Sequence, residues 1–190
     1  MSDSHFSICV YCGARPGTDP AYEAAGVELG TAIAENGWRL VYGAGDVGIM
    51  GAVAKSAAQG GAATLGVIPT HLLSAEAPQG LFDHNRIVTE TMHERKKVMF
   101  MNADAVAVLP GGAGSLDEFF EVLTWAQLGL HTKPVFLVDI QGYWQPLVNV
   151  LDHIVAQGFA DPSVKELVQV TPSVAALVEG LRASVSDAQL

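Results

Sequence analysis

The sequence predicts an α/β fold, a doubly wound parallel β-sheet in a single domain. Three observations predict it. Short runs of almost only apolar residues alternate with longer segments of helical periodicity, and strands of this kind belong to parallel sheets covered on both faces. Glycine-rich turns separate several of the runs from the segments that follow them. The chain has 190 residues, of which 49% are hydrophobic, so one domain with a sizeable core is expected. This pattern is typical of Rossmann-like proteins.

The strands are predicted from apolar runs that end at turn residues. In chain order they cover residues 6–12, 38–42, 64–68, 86–88, 104–109 and 134–139, with a strand-like piece at 167–170. The segments between them carry helical spacing of apolar residues and end at glycines such as Gly37 and Gly60. They predict helices over residues 21–36, 49–59, 92–101, 115–128, 143–157 and 173–183.

No linker or internal repeat divides the chain. We therefore expect residues 1–190 to form one domain, with a core over about 6–159 and a C-terminal helical extension over 160–190. Residues 69–83 form a long connection without clear periodicity, the kind of loop that often carries function. The loops after Cys12, Tyr42, Ile68 and Leu109 should meet at one edge, because ligands of parallel sheets bind beyond the carboxyl ends of the strands. The helix start at Met92 joins them if the short strand before it is parallel.

Charge and hydropathy exclude two classes of partner. The formal net charge is −10, whereas nucleic-acid binders usually present a basic face, so we expect no nucleic-acid partner. No segment approaches the roughly 20 apolar residues of a membrane helix, so we expect no membrane partner. Residues 1–6 lack a basic region followed by an apolar one, so we expect no secretion signal and a cytoplasmic protein.

The two cysteines, Cys9 and Cys12, form a C-x-x-C pattern inside an apolar run. A redox pair is usually found at a helix start after a strand. Residues three apart on a strand point to opposite faces, and no second pair completes a zinc site. We predict two buried thiols. The six histidines show no metal-ligand spacing, so no metal is expected.

The first glycine-rich loop, Gly43-Ala-Gly-Asp-Val-Gly48, is a G-x-G-x-x-G between a strand and a helix. In dinucleotide-binding proteins an acidic residue ends the next strand and holds a ribose. The next predicted strand ends without one, at Ile68-Pro69. NAD or FAD is therefore not favoured, and the loop is predicted to pack a helix and line a nucleotide pocket.

The second glycine-rich loop reads Leu109-Pro-Gly-Gly-Ala-Gly-Ser-Leu-Asp-Glu118 and follows a predicted strand. Backbone N–H groups at a helix start bind anions, and glycines let a phosphate approach the main chain. An alternative needs no ligand: Ser115 and Glu118 fit an S-x-x-E capping box. That alternative leaves three glycines in four positions before Ser115 unexplained. The loop predicts a phosphate cradle beside the carboxylate of Glu118.

The third motif is Met92-His-Glu-Arg-Lys96 at a predicted helix start. Cationic side chains in a first helical turn oppose the helix dipole. Arg95 and Lys96 therefore either belong to a solvated face or supply charge to an anionic ligand.

Taken together and in this order, these segments and Thr124-Trp-Ala-Gln-Leu-Gly129 resemble the LOG ("lonely guy") family of cytokinin-activating phosphoribohydrolases. The similarity runs from about Ile8 to Phe159. It implies hydrolysis of the N-glycosidic bond of cytokinin riboside 5′-monophosphates or AMP, which releases the free base and ribose 5-phosphate. It also implies a homodimer and no metal or organic cofactor. Some members have been labelled lysine decarboxylases, but no lysine here stands in a recognisable pyridoxal-phosphate setting.

The resemblance makes Arg95 and Glu118 the catalytic pair. It implies substrate contacts at Glu76, Met92, Arg95, Lys96, Gly111, Gly112, Ala113, Gly114, Ser115, Leu116, Asp117 and Thr124. This chain departs from the family in having Ala44 where a glycine is common and Ser115 where threonine is common. Ala113 replaces a bulkier residue, which bears on the preference for the base. A non-catalytic nucleotide-binding protein and a lysine decarboxylase-like enzyme are the alternatives.

Overall fold

The computed structural model describes residues 6–76 and 85–187. Seven parallel strands form one sheet in the order β4-β3-β2-β1-β5-β6-β7. The strands are β1 Ser7–Tyr11, β2 Arg39–Tyr42, β3 Thr64–Pro69, β4 Arg86–Thr89, β5 Ala105–Val108, β6 Val135–Val138 and β7 Gln169–Thr171. The helices are α1 Pro20–Glu35, α2 Gly48–Gln59, α3 Leu73–Glu76, α4 Met92–Met101, α5 Ala113–Gln127, α6 Gln145–Ala156 and α7 Val174–Asp187. Short 3₁₀ turns cover Thr70–Leu72, Ile140–Gly142 and Pro162–Leu167.

The strand order reverses between β1 and β5. The chain builds the sheet outward from β1 to β4, and then returns to place β5 on the other side of β1. Tyr11 pairs with Val108, so the loops that follow these two strands start side by side. Ligands of open α/β sheets bind at such a reversal. The predicted doubly wound α/β fold is confirmed.

The sheet separates two apolar cores, because successive side chains of a strand point to opposite faces. Along β1, Ile8 and Val10 pack with residues of α1, α2 and α7. Cys9 and Tyr11 pack on the other face, with residues of α4, α5 and α6. The thiols of Cys9 and Cys12 are free, buried and assigned to different cores, which confirms the prediction from the C-x-x-C pattern.

The predicted elements occur in the predicted order, with shifted ends. Residues 160–190, predicted as a helical extension, include β7, which pairs with β6, and α7, whose Leu177 and Leu181 are fully buried. Part of the long connection forms the short helices at Thr70–Leu72 and Leu73–Glu76. Its residues 77–83 lie outside the described part. Within the described ranges, no helix has both the length and the apolar character needed to cross a bilayer.

Candidate active site

A cavity of about 580 Å³ lies at the carboxyl edge of the sheet, next to the reversal between β1 and β5. The loop after β1 forms one wall and the loop from Pro110 into α5 forms the facing one. The first turns of α1, α2 and α4, together with Leu72 and Tyr143, complete the lining among the described residues. The prediction that several strand-end loops share one edge is therefore confirmed. The start of α4 was expected at this edge only if the strand before it is parallel. This is the case, since β4 runs parallel to β3.

The helix α5 begins earlier than predicted, at Ala113, with Gly112 as its N-cap residue. No side chain caps this end, and Ser115 and Glu118 lie inside the helix. The capping-box interpretation is therefore wrong. The helix starts before Ser115 because Gly112 already has the extended backbone of an N-cap residue. Ser115 therefore falls in the first helical turn and cannot be the cap. The uncapped N–H groups of that turn leave a positive helix end at the cavity wall.

Ser115 strengthens the polarity of this wall. Its residue is 3% exposed, it lines the cavity, and its hydroxyl makes no hydrogen bond to any residue in the described ranges. A hydroxyl at a cavity wall can donate one hydrogen bond and accept others. A ligand oxygen in the cavity would supply a partner.

Hydrogen bonds from two neighbouring segments hold the loop before α5 in place. The Tyr143 hydroxyl donates to the Gly111 carbonyl over 2.5 Å, and the Gly13 N–H donates to the Pro110 carbonyl over 3.0 Å. A Cβ on Gly111 would overlap the Ser115 side chain, so only glycine fits here. These contacts turn the carbonyls away and hold the loop rigid before any ligand arrives.

The first glycine-rich loop acts as a support for the cavity. Gly48 has φ +59°, and a Cβ there would lie 2.5 Å from the backbone of Ala14 and Arg15. Ala44 also has a positive φ of 59°, a conformation that favours glycine. Within the described chain, Ile49 and Met50 line the cavity and residues 43–48 do not. The predicted helix-packing role is confirmed, whereas the pocket lining comes from the next two residues.

Arg95 is brought to the cavity by α4. A true capping box starts this helix: Glu94 N–H donates to the Thr91 hydroxyl, and Thr91 N–H donates to the Glu94 carboxylate, each over 3.2 Å. Arg95 is buried, with 4% of the residue exposed. Its Nε donates to the Val67 carbonyl over 3.1 Å and its Nη2 to the Gly43 carbonyl over 2.8 Å. Two main-chain carbonyls therefore fix a cation at the cavity wall.

Glu118 lines the same cavity and is 9% exposed. Behind it lie Tyr11 and Cys9 of β1. Burial, and then the negative charges nearby, Glu118 among them, raise the pKa of both the Tyr11 phenol and the Cys9 thiol. Both groups stay neutral at physiological pH, so the groups of β1 that lie next to Glu118 are uncharged.

Lys96 lies one residue beyond Arg95 but does not line the cavity. Its ammonium contacts Asp117 Oδ2 at 2.9 Å and Glu121 Oε2 at 2.7 Å, both on α5. Burial lowers the pKa of Lys96, and the two carboxylates more than offset this, so the pKa is raised overall. The lysine thus joins α4, which carries Arg95, to α5, which carries Glu118.

The predicted site residues divide into two groups. Those that line the cavity are Met92, Arg95, Gly111, Gly112, Gly114, Ser115 and Glu118. Described residues of the predicted set that do not line it are Lys96, Ala113, Leu116, Asp117 and Thr124. Glu76 ends α3, and its contact with a substrate stays a prediction. In the described ranges, no group of three or more His, Cys, Asp or Glu has an arrangement suited to a metal ion.

The lining residues that sequence reasoning missed include one cation and two aromatic side chains: Arg15, Tyr22 and Tyr143. The loop after β1 was expected at this edge, so its single arginine gave a usable signal. The tyrosines gave none, because they reach the cavity through a tertiary contact. Their rings pack edge to face with centroids 5.3 Å apart.

Known proteins place the chain in a family. A family model described as "Possible lysine decarboxylase" matches residues 50–181. The cytokinin riboside 5′-monophosphate phosphoribohydrolase LOG7 of Arabidopsis thaliana is 41% identical over 174 residues, which are 92% of this chain and 80% of that protein. The chain belongs to the LOG family. The phosphoribohydrolase LOG of Oryza sativa subsp. japonica, another LOG protein, is 41% identical over 95% of this chain and 74% of its own.

Solved structures with the fold of this LOG protein are more distant in sequence. The molybdenum cofactor carrier protein of Chlamydomonas reinhardtii superposes with a TM-score of 0.73 at 22% identity, covering 96% of this chain and 99% of its own. The molybdenum cofactor binding protein of Rippkaea orientalis gives 0.72 at 21% identity, covering 97% and 99%. At this identity the likeness shows a shared fold.

Proposed function

We propose that this protein hydrolyses the N-glycosidic bond of nucleoside 5′-monophosphates, namely cytokinin riboside 5′-monophosphates, AMP or both. The products are the free base and ribose 5-phosphate. One observation carries the proposal: Glu118 and the uncapped start of α5 line the same cavity as the buried Arg95. Identity of 41% to proteins named for this reaction on cytokinin nucleotides supports it.

The start of α5 is the proposed phosphate site. N–H groups in the first helical turn and the Ser115 hydroxyl donate to phosphate oxygens, and the helix dipole favours their negative charge. Gly111, Gly112 and Gly114 leave room for the phosphate next to the main chain. With the phosphate held there, the ribose lies further into the cavity, towards Glu118.

Cleavage of the ribosyl bond builds positive charge on the ribose, as in glycoside hydrolysis. The bond between C1′ and the base nitrogen breaks, and its electron pair leaves with the base. A water oxygen bonds to C1′ and passes a proton to the Glu118 carboxylate, while the base takes up a proton from solvent. The Glu118 charge also stabilises the cationic ribose.

Arg95 has a positioning role in this scheme and contacts the substrate. Its guanidinium stays protonated in proteins, so it is no proton donor to the base. Held by the Val67 and Gly43 carbonyls, it presents a fixed charge to the ribose and to Glu118. Met92, one turn before it, supplies an apolar contact in the same wall.

The proposal includes a homodimer that works in the cytoplasm without metal or organic cofactor. Exposed apolar side chains support the dimer: Met101 ends α4, and Leu128 and Leu130 follow α5. These ends are neighbours, since the Phe100 and Trp125 rings lie 5.0 Å apart. Light scattering after gel filtration measures the subunit number, and activity that survives a chelator supports the absence of a metal.

The test is a panel of nucleotides scored for free base by chromatography. We expect AMP or an N6-substituted AMP to release its base, and Glu118→Gln to lower turnover by about 10²-fold or more, the scale of a positioned acid or base. The fold should survive, because Glu118 caps no helix. The matched control is Glu28→Gln, an exposed carboxylate on α1, which should keep full activity.

Two results would contradict the proposal. Near-normal hydrolysis by Glu118→Gln would remove the carboxylate from the mechanism. Binding of nucleotides without release of base would make the protein a nucleotide-binding module. Because the matching family model is described as a possible lysine decarboxylase, carbon dioxide release from lysine is assayed in parallel, and we expect none.

A further inference from the structure

The loop after β1 brings an arginine to the cavity wall that faces the start of α5. Residues 12–15 of this loop line the cavity together with Pro110, Gly111 and Ser115. The two walls touch, because the Gly13 N–H donates to the Pro110 carbonyl over 3.0 Å. Arg15 therefore stands beside the loop that forms the proposed phosphate site.

The backbone of Arg15 is held in place on its other side as well. The Gly13 carbonyl accepts a hydrogen bond from the Met50 N–H over 3.2 Å. Gly48 packs so closely that a Cβ on it would lie 2.5 Å from the Arg15 nitrogen. The main chain at this position is thus fixed by the loop at Pro110 and by the start of α2.

The side chain of Arg15 differs from the other cations near the site. It is exposed, and it makes no hydrogen bond or ion pair with any residue of the described ranges. Lys96 is already neutralised by Asp117 and Glu121. The Arg95 guanidinium donates to the Val67 and Gly43 carbonyls.

Arg15 would add a full positive charge to a phosphate site otherwise built from N–H groups and a hydroxyl. The chain carries a formal charge of −10, so its general field repels an anion. Helix N–H groups contribute partial charges, whereas a guanidinium offers a full charge and a planar pair of donors that matches phosphate oxygens. Arg15 lines the cavity with those donors uncommitted.

We propose that Arg15 binds the phosphate of the substrate and makes the site selective for phosphorylated ligands over the corresponding nucleosides. The side chain and the first turn of α5 hold the phosphate from two sides. The kinetic part of this inference rests on the proposed function, because it assumes that AMP is hydrolysed. The binding of ribose 5-phosphate by Arg15 can be measured whether or not the protein hydrolyses AMP.

The experiment compares the wild type with Arg15→Gln, Arg15→Lys and a matched control, Lys55→Gln. Lys55 is an exposed cation on α2 that does not line this cavity, so its loss changes net charge equally. Two quantities are measured: the dissociation constant of ribose 5-phosphate by calorimetry, and kcat and KM for AMP and for adenosine. Melting temperature checks the fold of each variant.

We expect Arg15→Gln to raise the dissociation constant of ribose 5-phosphate and the KM for AMP by about 10- to 100-fold, the size of a charge-assisted hydrogen bond. The kcat for AMP should change by less than about threefold, and we expect adenosine to be a poor substrate for the wild type and for the variant alike. Arg15→Lys should recover part of the affinity, since it keeps the charge and loses the planar fork. Lys55→Gln should behave as wild type.

The proposal fails if Arg15→Gln binds ribose 5-phosphate as tightly as the wild type, or if Lys55→Gln weakens binding equally. It also fails if the wild type binds no ribose 5-phosphate. Affinity that depends on Arg15 in a protein that releases no base would support this inference and contradict the proposed hydrolysis. If Arg15→Gln releases base as fast and with the same KM as the wild type, that result would support the proposed hydrolysis and contradict this inference.

Discussion

The absence of a side chain at Gly43 leaves room for the guanidinium of Arg95. The Gly43 carbonyl accepts a hydrogen bond from Arg95 Nη2, and a Cβ at this position would overlap the guanidinium. Any side chain here would displace Arg95 from the cavity wall. The glycine that looked like part of a dinucleotide motif is required by an arginine 52 residues away in sequence.

We therefore expect Gly43→Ala to lower kcat for base release by about 10²-fold, because a shift of about 1 Å in a positioning group has that effect. Steady-state kinetics on AMP measures it, with Arg95→Gln and the double variant alongside. If Gly43 acts through Arg95, the double variant is no slower than Arg95→Gln alone. Additive losses would show that Gly43 acts by another route.

Part of the cavity lining was predicted from the sequence. Glu118, Arg95 and Ser115 were predicted as site residues, and all three line the cavity. Arg15 was missed although its loop was expected at this edge, because the sequence of a turn-rich loop does not show which of its side chains turns towards the cavity. Lys96 was expected beside the ligand, but its two partners lie on another helix, and a pairing of that kind has no local signature.

At the scale of elements, the ion pairs of Lys96 set the distance between the two helices of the site. The Lys96 side chain is 7% exposed, and that of Glu121 is 22% exposed. Removing a buried cation leaves two carboxylates near each other without compensation, which is strongly unfavourable. The exposure of Asp117, 58% for its side chain, weakens its share through solvent screening.

We expect Lys96→Gln to lower the free energy of unfolding by about 2 kcal/mol, which corresponds to a fall in melting temperature of about 4–8 °C. Its kcat on AMP should fall with the altered helix spacing, while KM changes little. Glu121→Gln is the companion variant and should reproduce the kinetic effect. A KM that rises tenfold with an unchanged melting temperature would instead make Lys96 the phosphate ligand that its position in the motif predicts.

The elements themselves were predicted better than their ends. The start of α5 was placed two residues late, because Ser115 followed by Glu118 is a valid capping pattern, whereas Gly112 provides the cap in the folded chain. The choice between two possible starts depends on the contacts of Gly111 with Tyr143 and Ser115, which come from tertiary structure.

At the scale of the molecule, sheet topology assembles the site. The reversal of strand order between β1 and β5 brings the arginine-bearing loop beside the glycine-rich one. Parallel pairing of β2, β3 and β4 then carries the loop at Gly43 and the start of α4 to the same edge. Alternating apolar runs predicted this edge, because parallel strands place their carboxyl ends together. The strand order itself was not predicted, since apolar runs carry no information on which neighbours they choose.

The central claim is that the first turn of α5 binds the phosphate and thereby sets Glu118 against the sugar. A crystal structure of Glu118→Gln with bound AMP tests it most directly. We predict the phosphorus atom within about 4 Å of the N–H groups of residues 113–115, as expected for hydrogen bonds of ordinary length, with C1′ facing residue 118. A phosphate bound away from this turn, or a side chain at 118 directed away from the ribose, would contradict the claim.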